Sequence, residues 1–180
     1  MSNYLDKVKD FQILFNAPVL DNPTIPKERA ELRIKLIQEE LDELTAAVEQ
    51  DDIVEVGDAL ADLHYVLSGA ILEFGFTKIF DEIFDDVHGS NISKVCRNEE
   101  VADKTIAYYA ERDVEAYKKR RLNVWLVYRK SDDKILKSIE YRPADLLPII
   151  YTVTDPHTKQ MGRSLGNGMY EFRNGDADPT

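Results

Sequence analysis

Two acidic clusters hold the residues best suited to chemistry in this chain. The first is Glu39, Glu40 and Glu43, within the run Glu-Glu-Leu-Asp-Glu. The second is Glu55, Asp58 and Asp62, at i, i+3 and i+7. Carboxylates packed this densely repel one another, and a divalent cation relieves that repulsion most directly. All-oxygen ligation suits Mg²⁺ or Mn²⁺. Mg²⁺ keeps several of its waters and binds substrate phosphates, so such a site reads as catalytic rather than structural. The sequence has no EF-hand loop, which argues against a dedicated Ca²⁺ site. The plain alternative is that charged helix faces are common, and most are only solvated.

Helices must position these acids. Ile34, Ile37, Leu41, Leu44 and Val48 keep helical spacing and predict a helix over residues 27–50 with these side chains as its core stripe. Glu31, Lys35, Gln38, Asp42, Thr45 and Glu49 share a solvated side. Glu39, Glu40 and Glu43 fall on a third side with Leu32, Leu36 and Ala47, which implies a polar-lined cleft. Asp51 and Asp52 open a second helix to about residue 74. Its expected core stripe is Ile53, Val56, Leu60, Leu63, Leu67, Ile71 and Phe74, and its acids line one face. Gly57, Ala61, Ser68 and Gly69 occupy the remaining sides, as close packing against another helix requires, one from a second subunit included. Antiparallel neighbours pack ~8–10 Å apart, so facing carboxylates converge on one or two cations.

Around this pair, residues 1–16 read as a short amphipathic helix. A Pro-bearing link over residues 17–26 follows, with Thr24 as N-cap and Pro26 in the first turn of the next helix. Gly75 ends the second long helix. Thr77 caps a third over residues 78–87, which Gly89 and Asn91 stop, leaving 88–94 as a polar loop. Composition shifts near residue 98. A helix over 99–112 precedes three short strands, 114–117, 124–128 and 135–139, with Trp125 as the apolar anchor of a small meander. Beyond about residue 150 no period is sustained. The expected fold class is mainly α: a helical-bundle core over 1–97, an accessory helix with an antiparallel β-meander over 98–150, and an irregular tail over 151–180.

Composition limits the partners. The chain has 180 residues and a net charge of −11, so a nucleic-acid backbone is not expected as a general partner. Hydrophobic residues make up 43%, enough for a real core. Cys96 is the one cysteine, so there is neither a disulfide framework nor zinc spacing, in keeping with a reducing setting. No apolar run reaches the ~18 residues of a membrane span. A soluble, cytoplasmic protein without membrane contact is expected.

These residues also carry a resemblance. Glu39-Glu40-Leu-Asp-Glu43 followed by Glu55-Val-Gly-Asp58 resembles the Glu-Glu-x-x-Glu … Glu-x-x-Asp signature of the all-α nucleoside triphosphate pyrophosphohydrolases, a superfamily that includes MazG and the dimeric dUTPases. The stretches Asp58-Ala-Leu-Ala-Asp62-Leu-His-Tyr-Val and Ser90-Asn91-Ile-Ser93-Lys94 are most similar to its phosphoribosyl-ATP pyrophosphohydrolase-like branch. The likeness covers residues 5–95. Aligned on Asp62-Leu-His-Tyr, Ala59 stands where relatives carry Glu, and Asp58, one turn before Asp62, supplies the ligand. Relatives often carry Arg where this chain has Gly89.

The resemblance implies cleavage of a nucleoside triphosphate between its α- and β-phosphates, with Mg²⁺ (or Mn²⁺) as cofactor. Glu40, Glu43, Asp58 and Asp62 are the expected metal ligands. Glu55 and Glu39 complete the cluster or orient a water, and one of Glu39, Glu40 and Glu43 assists deprotonation. Asn91, Lys94 and Arg33 are the candidate substrate contacts. Their ordinary roles would be a helix C-cap, a solvated lysine and an ion pair with neighbouring acids. His64 is read as structural. A homodimer or homotetramer is implied. One alternative changes the substrate to phosphoribosyl-ATP. Another, of a different class, is a non-catalytic helical interaction or regulatory protein.

Overall fold

A computed structural model describes residues 4–154, 162–164 and 170–172. The chain divides into two compact units, Met1–Asp81 with Pro148–Thr180, and Glu82–Leu147. The architecture is mainly helical, with a small antiparallel hairpin in the second unit.

The first unit is built on α1 (Tyr4–Leu14), α2 (Lys27–Glu49) and α3 (Ile53–Glu73). Pro26 is the N-cap of α2 and gives no side-chain cap, so Thr24 does not cap it. Asp52 caps α3 by accepting from the amides of Val54 and Glu55 at 3.0 and 3.2 Å. The few residues between α2 and α3 force the two helices to run antiparallel, and both α1 and α2 pack on α3. At the far end of α3, the Gly75 and Phe76 amides donate back to Leu72 and Ile71. This is the paired bonding of a Schellman stop. Gly75 has φ +76°, and a Cβ there would stand 2.0 Å from the Asn22 carbonyl oxygen, so only glycine fits.

The inward stripe differs from the one expected. Ala30, Arg33 and Ala47 are buried along α2, with Ile37, Glu40 and Leu44 half-buried between them. The expected core residues Ile34, Leu41 and Val48 are 66%, 44% and 62% exposed. On α3, Ile53, Leu60 and Leu67 are likewise 80%, 51% and 46% exposed, while Ala59, Ser68, Gly69, Ala70, Leu72 and Glu73 are buried. Helical spacing identifies an apolar stripe but not what covers it. Here each long helix has two apolar sides, and the small-residue side is the one used within the chain.

Helix α4 (Phe80–Ile92), which belongs to the second unit from Glu82 onward, runs past Gly89 and Asn91, which were expected to stop it. Within it the Asn91 amide donates back to the Val87 carbonyl at 3.0 Å, an i−4 bond that a continuing helix accommodates. Helix α5 (Glu99–Ala110) is capped by Asn98, which accepts from the Val101 amide at 2.9 Å. Strands β1 (Ala116–Arg121) and β2 (Val124–Arg129) pair antiparallel, with Lys118 opposite Val127 and Arg120 opposite Trp125. The third strand of the expected meander is only a bridge between Tyr128 and Ile135. The charged run Lys118-Lys119-Arg120-Arg121 is strand through its backbone pairing with β2, with Lys118 half-buried and Lys119, Arg120 and Arg121 exposed. Cys96, Val101, Ala102, Val127 and Leu136 form this unit's core, with Trp125 and Tyr109 packed against it.

The chain closes with α6 (Leu147–Thr154) and a short hairpin of β3 (Gly162–Ser164) and β4 (Tyr170–Phe172), where an irregular tail was expected. The rest of that expected tail lies outside the described residues. No helix among the described residues is long and apolar enough to cross a membrane.

Candidate active site

The acids of α2 and α3 meet where the two helices face each other. Glu40 lies on the inward line of α2, one turn before Leu44. It is half-buried, whereas Glu39, Glu43, Glu55, Asp58 and Asp62 are exposed. Burial pushes the Glu40 carboxyl above the ordinary carboxylate range, and the charges of Glu43, Asp62, Glu39 and Asp58 push it the same way. Glu40 is therefore the centre of the cluster. Glu55 sits in the first turn of α3, its amide tied to the Asp52 cap.

No described cation neutralises Glu40, Glu43, Asp58 or Asp62. Glu39 alone has a partner, Lys35 at 3.5 Å one turn earlier. The donor set is all oxygen, carries excess negative charge and borders a partly dry interface. Those are the chemical requirements of a hard divalent cation. Among the described residues, though, no three such side chains stand close enough together to hold an ion as they are. The site is thus a convergence of carboxylates rather than a closed cage.

The neighbouring α2–α3 layer was not anticipated. Glu73 is fully buried and receives Arg29 through Nε at 2.9 Å and Nη2 at 2.5 Å, Arg33 through Nη2 at 2.5 Å, and Gln12 of α1 through Nε2 at 3.1 Å. Burial alone would raise its pKa. The hydrogen bonds and charges of the two arginines outweigh this and hold the carboxyl below the ordinary range. Arg33, expected as a substrate contact or as a partner of the cluster acids, is 8% exposed and committed to Glu73. The signal in the sequence was an acid, Glu73, inside the apolar run Ile71-Leu-Glu-Phe74.

Asn91 and Lys94 lie in the second unit. Lys94 Nζ donates to Asn91 Oδ1 at 2.6 Å, so the two act as a pair at the end of α4. In the first unit, a groove of about 500 Å³ opens between α1 and α3, lined by Tyr4, Lys7, Val8, Leu60, Ala61, His64 and Tyr65. His64 packs edge-on against Tyr4, with ring centroids 5.0 Å apart. Ala61 and Tyr65 follow Asp58 and Asp62 by about one turn, so the groove borders the acidic face.

Residues 8–91 match the family model described as phosphoribosyl-ATP pyrophosphohydrolase. They form an all-α nucleoside triphosphate pyrophosphohydrolase domain, of the phosphoribosyl-ATP pyrophosphohydrolase-like branch. The match runs from α1 to the last turn of α4 and takes in both acidic clusters and Asn91. The match supports a nucleotide pyrophosphohydrolase activity. A comparison with curated proteins gives no match.

Proposed function

We propose that this protein is a divalent-metal-dependent nucleoside triphosphate pyrophosphohydrolase that converts an NTP or dNTP to the monophosphate and pyrophosphate. One observation carries the reading. Glu40 is surrounded by the charges of Glu43, Asp62, Glu39 and Asp58, with no described cation to balance the four innermost acids, in a domain of this family. Glu40, Glu43, Asp58 and Asp62 would hold Mg²⁺ or Mn²⁺, with Glu55 as an auxiliary. When bound, the metal lowers the pKa of a coordinated water and neutralises charge on the phosphates. One of Glu39, Glu40 and Glu43 takes the proton from the attacking water. The protein's own contribution is to place these carboxylates along two helices locked in antiparallel contact.

A second substrate, phosphoribosyl-ATP, keeps the same site and is favoured by the description of the matching family model. The deciding experiment incubates purified protein and Mg²⁺ with NTPs, dNTPs and phosphoribosyl-ATP and measures pyrophosphate release. Turnover of one class assigns the substrate. Silence across the panel overturns the enzyme reading in favour of a non-catalytic helical interaction protein.

The same reading includes self-association. Ile34, Leu41 and Val48 recur every seven residues on α2, as do Ile53, Leu60 and Leu67 on α3, and all six are exposed. Exposed apolar stripes of this kind mark an interaction surface. We assign it to a second copy of the chain, in a homodimer or homotetramer.

A further inference from the structure

Three cations of the second unit gather around one hydrogen bond. The hydroxyls of Ser90, on α4, and Tyr141 stand 3.0 Å apart. Lys137 Nζ lies 4.2 Å from the centre of the Tyr141 ring. Lys94, bonded to Asn91, is near enough for its charge to act on the same phenol. Arg142 completes the group. Its backbone amide donates to Ser93 Oγ at 2.9 Å, and its Nη2 stands 3.0 Å from the place a Cβ on Gly89 would take. Position 89 has no side chain of its own, and a guanidinium from a distant segment of the chain stands beside it.

The balance of charge is unusual for a chain of −11. Arg142 faces Asp86 at 3.6 Å, and Asp86 is also occupied by the Asp145 amide at 2.7 Å. Glu140 is taken by Arg97 at 2.7 Å. Among the described residues, Lys94 and Lys137 pair with no carboxylate. Among the described residues, Asp86 is the one carboxylate within ion-pair distance of any of the three cations. Arg142 and Lys137 are exposed and Lys94 is half-buried, so all three are open to a ligand. The Ser90 bond, followed by Lys137 and Lys94, holds the Tyr141 phenol below its ordinary value against the opposing effect of burial. A phenol so biased is a stronger hydrogen-bond donor.

We propose that Lys94, Lys137 and Arg142, with the Tyr141 hydroxyl, form a cradle for a phosphate group. Phosphate oxygens only accept hydrogen bonds, and every group here donates. The guanidinium offers a planar fork and the ammonium groups act as point charges, the usual division of labour in phosphate recognition. The phosphate belongs either to the nucleotide of the proposed reaction or to a separate phosphorylated ligand. Only the first source rests on the pyrophosphohydrolase reading.

The test titrates the full chain with inorganic pyrophosphate by calorimetry, without metal, so that it stands apart from turnover. The wild type should bind, and Arg142→Ala and Lys137→Ala should each weaken binding about tenfold, the effect of removing one hydrogen bond to a charged group. Gly89→Arg combined with Arg142→Ala should recover most of the loss, which a merely structural role for Arg142 would not allow. Circular dichroism checks folding. If Arg142→Ala does not fold, Lys137→Ala decides alone. A wild type that binds no pyrophosphate, or folded variants that bind it as the wild type does, overturns the cradle. Steady-state kinetics then separate the sources. A higher KM with unchanged kcat in Lys137→Ala assigns the phosphate to the substrate. An unchanged KM beside weakened pyrophosphate binding assigns it to a separate ligand. If no nucleotide is turned over at all, the acidic-site reading fails while the calorimetry still decides the cradle.

Discussion

Arg33 reaches Glu73 across the α2–α3 interface through the space left by Gly69. The guanidinium donates to the carboxylate at 2.5 Å, and a Cβ on Gly69 would stand 2.5 Å from Arg33 Nη1. Both side chains are buried, and Arg29 and Gln12 add their own bonds to the same acid. Helices α1, α2 and α3 are tied at one buried polar point.

Removing the acid should be severe. Glu73→Ala strands Arg33 as a buried, unpaired cation, and we expect a loss of about 3–5 kcal/mol in urea unfolding, the usual result of breaking a buried pair from one side. A loss below about 1 kcal/mol would show that Arg33 finds another partner or reaches water.

Gly69→Ala should also destabilise, by about 1–3 kcal/mol, because the methyl group overpacks against a guanidinium that cannot easily swing away. The matched control is Gly57→Ala. Nothing stands within 4 Å of a Cβ there, and the site is mid-helix. That variant should hold or gain stability.

Acid and base should act oppositely on two carboxyls. Glu73 is held below its ordinary value, so its stabilisation is present above the unfolded value and lost as pH falls through the folded one. Glu40 is pushed above its ordinary value, so the metal-free fold is favoured below the unfolded value and weakened as pH rises through the folded one. In metal-free buffer, Glu40→Gln should therefore raise the melting temperature at neutral pH and make little difference at low pH. An equal shift at both would contradict the repulsion that defines the cluster.

Catalysis should depend on the same acids. Glu43→Ala or Asp62→Ala should reduce Mg²⁺-dependent pyrophosphate release about a hundredfold or more, the scale of losing several kcal/mol of metal-supplied stabilisation. The circular dichroism spectrum should not change. Unchanged turnover in both variants would remove the acidic face from the mechanism.

Leu41→Lys with Leu60→Lys tests the outer apolar face. Light scattering should show a smaller species than the wild type. A wild type that is already monomeric would refute assembly through these stripes.

The acids and the helices that carry them were legible because period and charge are local properties. The Gly75 stop and the extents of α2 and α3 followed from the same local chemistry. Which apolar side of each helix turns inward was not legible. Ile34 and Leu41 have the same spacing as a core stripe, and only the partner helix distinguishes them from Ala30 and Ala47. The run Lys118-Lys119-Arg120-Arg121 was unreadable as strand for a similar reason: its pairing with residues 124–127 is made by backbone, which side-chain patterning does not reveal. Arg142 lay beyond reach because its role depends on a contact with Gly89, far away in the chain.

The Arg33–Glu73 pair has a consequence for distance. Helices that meet through small apolar residues can slide along each other with little to stop them. A single buried charge pair forbids this, because a slip of one turn, about 5.4 Å, would part both ions in a dry interface. The pair is thus a register pin. Arg33 and Glu40 share one side of α2, about two turns apart, so fixing the first fixes which α3 acids face the second. The spacing of the carboxylates is set from a place that touches none of them.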